Sequence, residues 1–285
     1  MQTVMAFVMA IIMTISGMIT NLTGLGFGKK KINLDEFELV WSDEFDGDAI
    51  DSERWKGVYG GATKAVMRKG GYIHSDLAEV KDGNLHIYAK YLEEGTGEGP
   101  AGYYSYMMYT RDLHEQTYGY FEVRCILPKG AGLWSAFWMN SRGMENVDGS
   151  PADGAEIDIY ESPYYHKNLF HNYVSSNVYY DGYGADMVSG KMGIYEANNP
   201  YEEYNTYGLE WNENEYIFYI NGKETARTDF GISQSPEYLI LSVEIGGSNG
   251  QPDPESWAGD ITENDELSAD FVVDYVRAYQ YKDKM

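Results

Sequence analysis

The 285 residues carry 45 Asp and Glu against 21 Lys and Arg, a formal charge of −24. That balance excludes nucleic acid and anionic membrane surfaces as partners, because their phosphates would be repelled. A single cysteine, Cys125, excludes an internal disulfide, and the length suits one domain behind a short leader.

The chain opens on a nearly unbroken apolar run from Val4 to Ile15, and Lys29, Lys30 and Lys31 follow it. The run is short for a bilayer span, so residues 1–28 are expected to be a secretory leader of the bacterial type; an uncleaved anchor is the alternative. Residues 34–285 read as one domain, uninterrupted by a Pro/Ser-rich linker, a repeat or a low-complexity tract. Short alternating segments are predicted as strands at Leu85–Ala89, Tyr120–Leu127, Tyr216–Ile220, Tyr238–Val243 and Phe271–Tyr279. Within the second, Phe121, Val123, Cys125 and Leu127 share one face, which makes Cys125 a buried, inert thiol. Gly143–Ala155, rich in Gly, Asp and Asn, reads as a loop, and Asn221-Gly222 reads as a hairpin turn. Long amphipathic helical patterns are absent. The expectation is an all-β, curved antiparallel sandwich whose concave face forms a groove.

Glu156-Ile157-Asp158-Ile159-Tyr160-Glu161 is the most informative segment. In a regular strand Glu156, Asp158 and Tyr160 share a face, and Glu161 points into the apolar side with Ile157 and Ile159. An unpaired carboxylate is costly there. A β-bulge near Ile159–Tyr160 returns Glu161 to the acidic face. Three like charges on one face are poor for stability, but their repulsion raises at least one pKa and divides the carboxyls into acid and base. Glycoside hydrolysis needs that division. A solvated strand edge and a calcium site are the competing readings of the trio. The 27 tyrosines and 6 tryptophans fit both strand propensity and stacking on sugar rings.

The order and spacing of several short motifs resemble glycoside hydrolase family 16, the laminarinase, lichenase, agarase and carrageenase group. They begin with Trp41-Ser42-Asp43-Glu44-Phe45-Asp46-Gly47, Trp55 and Asp82-Gly83-Asn84-Leu85. Tyr118-Gly119-Tyr120-Phe121-Glu122-Val123-Arg124 and Gly132-Leu133-Trp134-Ser135-Ala136-Phe137-Trp138-Met139 precede the acidic strand. Tyr207-Gly208-Leu209-Glu210-Trp211 and Val273-Asp274-Tyr275-Val276-Arg277 follow it.

The resemblance implies a jelly-roll, concanavalin A-like sandwich and an endo-acting, retaining hydrolase of a β-linked polysaccharide. Glu156 matches the nucleophile, Glu161 the acid/base, and Asp158 a partner that shares a proton or hydrogen bond with the nucleophile. Trp134, Trp138 and Trp211 match positions lining the sugar cleft, while Trp41, Trp55 and Trp257 stay open. Asn177, Tyr179, His171 and Glu244 are candidates to touch the sugar, and Glu244 could instead pair with Arg111 or Arg68. No cofactor is expected for catalysis. A structural calcium is implied at Glu44, the Gly83 carbonyl and Asp274. The expected substrate is a β-1,3- or mixed β-1,3/1,4-glucan, with galactose-containing glycans as the alternative, because Ser162-Pro163-Tyr164-Tyr165 and the stretch from Ser176 to Gly184 depart from laminarinases. A non-catalytic sugar-binding sandwich and a transglycosylase are the other readings. A secreted monomer without an obligate protein partner is expected.

Overall fold

The computed structural model describes residues 30–57, 64–96, 99–163, 170–263 and 269–285. The leader read at residues 1–28 and the departures at Tyr164 and Tyr165 lie outside the described residues.

Two large sheets carry the fold. The first has eight strands, in the order Val188–Glu196, Tyr173–Tyr180, Glu156–Pro163, Leu133–Asn140, Glu237–Ile245, Met107–Tyr109 and Lys56–Gly57, with Glu115–Gln116 also pairing on Glu237–Ile245. The second has eleven. Its central run is Lys223–Thr228, Tyr216–Ile220, Asn205–Trp211, Gly119–Ile126, Ala269–Tyr281 and Asn84–Leu92. The expected antiparallel pairing holds throughout both, except that Gly71–Ile73 pairs parallel to Gly102–Ser105. The strands Ala78–Lys81 and Asn84–Leu92 lie between these two in sequence, giving the chain the long crossover that a parallel pair requires.

The core lies between the sheets and follows the period-two pattern. Phe121, Val123, Cys125 and Leu127 are at most 1% exposed, and across the sandwich Leu133, Phe137, Met139 and Ile157 are equally buried. Burial pushes the Cys125 thiol far up, so it stays protonated. The outer side of Gly119–Ile126 is buried too, because Tyr120 packs with Phe37, Ile217 and Tyr219. Asn221 and Gly222 both have positive φ, 50° and 68°, and close the hairpin with Ile220 opposite Lys223. That is the backbone a two-residue primed turn requires.

Candidate active site

The acidic strand runs Glu156–Pro163, between Leu133–Asn140 and Tyr173–Tyr180. Its register against Leu133–Asn140 pairs Phe137 with Tyr160 but Trp138 with Asp158, so Ile159 is the extra residue of a bulge. On the other side Asp158 faces Asn177 while Glu161 faces Ser175, which shows the same slip. The extra residue resolves the conflict in the sequence. Ile157, Ile159 and Tyr160 all enter the core, where Tyr160 packs on Tyr207 with ring centroids 4.3 Å apart. Glu156, Asp158 and Glu161 all line one cleft of about 620 Å³.

The three carboxyls sit in different surroundings. Glu156 accepts a hydrogen bond from the Tyr183 hydroxyl at 2.5 Å and a longer one from Asn140 Nδ2 at 3.3 Å. Burial raises its pKa, and the Tyr183 donor opposes the rise. Glu161 is 8% exposed and accepts from Asn177 Nδ2 at 2.6 Å. Burial, and then the charge of Glu156, push its carboxyl up to about 7. Asp158 is pushed well above the usual carboxylate range by burial first, then by Glu161 and Glu156. Its Oδ2 finds no ordinary donor, and its carboxyl has hydrogen-bonding contacts with Glu161 and with Asn177. The resemblance implies that Asp158 partners the nucleophile; the charges of both Glu156 and Glu161 bear on it here, and the bulge brings Glu161 to the same face.

Alternation along Leu133–Asn140 sends Trp134, Ala136, Trp138 and Asn140 to the cleft. Trp134 and Trp138 thus lie where they were expected, and Trp138 Nε1 donates to Ser242 Oγ at 3.1 Å. Trp211 does not. It is fully buried in the core, and its Nε1 donates to the Ser233 carbonyl at 3.2 Å. Trp211 sits on Asn205–Trp211, in the opposite sheet, so its inward face meets the core rather than sugar. Asn177 and Tyr179 lie beside the trio, opposite Asp158 and Glu156 respectively. His171 stacks on Tyr201, with centroids 6.4 Å apart, and is not among the cleft residues. Glu244, opposite Trp134, takes the arginine option: Arg68 Nε donates to it at 2.5 Å. Of the undecided tryptophans, Trp55 is buried and bonds Asp43, Trp41 stacks on His114, and Trp257 is 45% exposed and packs edge-on against Trp134.

Tyr183 and Glu237 carried no signal in the sequence, and Asn140 did. Tyr183 comes from the loop after Tyr173–Tyr180, and its contact with Glu156 depends on how that loop folds back. Asn140 was legible as the fourth member of the Trp134 alternation. Glu237 is 1% exposed, and its Oε1 accepts the Ala155 N–H at 3.1 Å, tying a second strand to the residue before Glu156. Burial pushes the Glu237 carboxyl up to about 8.

The carboxylates expected to hold calcium are otherwise engaged. Both oxygens of Glu44 accept from Arg277, at 3.0 and 2.8 Å, and Asp274 accepts from Arg124. Among the described residues no group of three or more His, Cys, Asp or Glu is arranged to hold a metal. Each carboxylate already has a cationic partner, Arg277 for Glu44 and Arg124 for Asp274, which competes with a cation for its oxygens. EDTA is therefore expected to leave Tm unchanged in a thermal melt. A fall in Tm that calcium reverses would place the ion there after all.

The model of the family described as beta-porphyranase A-D, GH16 domain, matches residues 38–281. A beta-glucanase of Rhodothermus marinus is 29% identical over 263 residues, covering 86% of each chain. A keratan-sulfate endo-1,4-beta-galactosidase of Sphingobacterium multivorum is 28% identical over 86% of this chain, which spans 56% of that relative's length. The catalytic domain of an endo-1,3-beta-glucanase (laminarinase) from Thermotoga petrophila RKU-1 superposes with a TM-score of 0.66 at 27% identity, over 86% of this chain and 98% of its own. With both sheets and the acidic strand inside the matched span, the chain belongs to glycoside hydrolase family 16 and is an endo-acting glycoside hydrolase.

Proposed function

We propose that the enzyme is exported and cleaves a β-linked polysaccharide with retention of anomeric configuration, by double displacement. The carrying observation is the split between its two glutamates. Glu161 is buried with its carboxyl pushed up to about 7, so it holds a proton to give near neutral pH. Burial raises Glu156 as well, but two donors aimed at one oxygen, Oε2, oppose that rise and favour its ionised form. In the first step Glu156 bonds to the anomeric carbon as the glycosidic bond breaks, and the Glu161 proton passes to the leaving oxygen. In the second step water gives a proton to Glu161 and displaces Glu156. The apolar run Val4–Ile15 supports export.

Two cations on the cleft wall, Lys69 and Arg111, favour an anionic glycan, and the family likeness favours a galactose-containing one. Arg68, Lys69, Arg111 and Arg142 all line the cleft of a chain whose net charge is −24. Glu244 neutralises Arg68, and Asp112 and Glu115 neutralise Arg142. Lys69 and Arg111 have no acidic partner among the described residues and rest instead over the rings of Trp134 and Tyr238, at 5.2 and 5.7 Å. Cations beside aromatic platforms suit sugars that carry sulfate or carboxylate. The matched porphyranase domain and the keratan-sulfate galactosidase support this substrate. Neutral β-1,3- or mixed-linkage glucan is the second reading, supported by the beta-glucanase and laminarinase likenesses.

The test compares sulfated galactan, its desulfated form, laminarin and mixed-linkage glucan, with products followed by mass and anomers by NMR. Expected are β-anomers released first and a preference for the sulfated polymer that salt weakens. Replacing Lys69 with Ala is expected to raise KM on that polymer roughly 10-fold, the worth of one charge-assisted contact. Initial α-anomers would overturn retention, and higher kcat/KM on laminarin would overturn the substrate.

A further inference from the structure

Tyr183 belongs to a loop with built-in anchors. Asp181, at φ +63° and 5% exposed, accepts the backbone N–H groups of Asp148 and Gly149 at 3.3 and 3.1 Å. Gly182, at φ +77°, donates its N–H to the Met144 carbonyl at 2.7 Å. Both anchors fall on the segment that leads into Glu156, so one piece of backbone sets the nucleophile and the residue that touches it. The Tyr183 ring is 54% exposed and reaches over the open cleft. Its hydroxyl accepts from Asn140 Nδ2 at 2.7 Å and donates to Glu156 Oε2. The accepted bond orients the hydroxyl, because its one proton must then point at the carboxylate.

We propose that Tyr183 is a positioning residue for the nucleophile, reserving Glu156 Oε2 as hydrogen-bond acceptor and leaving Oε1 to attack, and that it speeds release of the glycosyl-enzyme. The inference rests on the reading of Glu156 as nucleophile. Burial and the Glu156 charge push the Tyr183 phenol far above its ordinary value, so it remains a donor at every working pH. In the first step Oε1 forms the ester bond, and Oε2 becomes a carbonyl oxygen, a weaker acceptor. In the second step water bonds to the anomeric carbon, its proton goes to Glu161, and the C–Oε1 bond breaks. Negative charge then returns to the carboxylate, and the Tyr183 hydrogen bond strengthens with it. Only interactions stronger in the transition state than before it raise the rate, and in this step the Tyr183 bond meets that condition.

Tyr183→Phe removes the donor and keeps the ring. The expected result on a polysaccharide is a kcat lowered roughly 10- to 100-fold, the range of one hydrogen bond to a charged group. KM is expected to fall with it, because the covalent intermediate accumulates. With an aryl glycoside, a pre-steady-state burst of the leaving group equal to the enzyme concentration is expected. The acid limb of kcat/KM should move to higher pH, since the bond that favours ionised Glu156 is gone. Wild-type kcat and an unmoved acid limb would overturn the proposal, and so would a raised KM with unchanged kcat, which marks a sugar contact alone. Glu156→Gln separates this failure from failure of the underlying reading: an active Glu156→Gln enzyme removes the nucleophile itself, whatever Tyr183 does.

Discussion

Glu156→Gln is expected to lower kcat on the polysaccharide by on the order of 10⁴-fold or more, as removal of a covalent nucleophile does. The amide keeps the shape of the side chain and a carbonyl oxygen for Tyr183 and Asn140, but it carries no charge to attack an anomeric carbon. The fold should not suffer. One of three crowded carboxyls becomes neutral, and the repulsion that raises Glu161 and Asp158 is reduced. Tm is therefore expected to hold or rise, and the near-UV circular dichroism to match wild type. Turnover within tenfold of wild type would remove Glu156 from the chemistry.

Glu161→Gln is expected to lower kcat/KM on the polysaccharide by about 10²–10⁴-fold, the range for a lost general acid. The pH profile gives the sharper readout. In the free wild-type enzyme Glu161 must be protonated for the first step, so kcat/KM should fall as pH rises through about 7. On the acid side the fall comes from protonation of Glu156, which ends its nucleophilicity. The variant keeps the acid limb and loses the alkaline one. An aryl glycoside whose leaving group departs without a proton should lose much less in the first step than the polysaccharide does. An alkaline limb that survives in the variant would assign that titration to another group, of which Glu237, with its carboxyl pushed up to about 8, is the nearest in range.

Asn177 explains why Glu161 can be both buried and poised. Its amide donates to Glu161 at 2.6 Å and so supports the ionised form needed in the second step. Asp158 lies against Glu161, and the two carboxyls share a hydrogen-bonding contact. The bulge at Ile159 is the backbone device that brings this pair together. A strand without it would place Glu161 in the layer that Ile157 and Tyr160 occupy.

Much of this was legible along the chain. Period-two alternation marked the strands, because a strand with one face on a core must alternate its side chains. The same rule, applied to Glu156–Glu161, demanded an irregularity, and the register slip at Ile159 is that irregularity. Asn221-Gly222 announced its hairpin because both residues tolerate positive φ. Trp134 and Trp138 could be placed because they lie two strand turns apart on the strand next to the carboxylates.

Other features were decided only when distant segments met. Trp211 reads like a cleft tryptophan, yet its strand belongs to the opposite sheet, and periodicity cannot say which sheet a strand joins. Glu44 and Asp274 read like cation ligands, but Arg277 and Arg124 lie against them across strand pairs far apart in sequence. Tyr183 lies 27 residues from Glu156 on a loop without alternation, so its contact follows from the anchors at Asp181 and Gly182. Local rules of strand and turn thus determined the carboxylate trio and its bulge, since those depend on neighbours within one strand. The partners that tune each carboxyl were left to the tertiary structure, because they come from other strands and loops, and only packing brings those into contact.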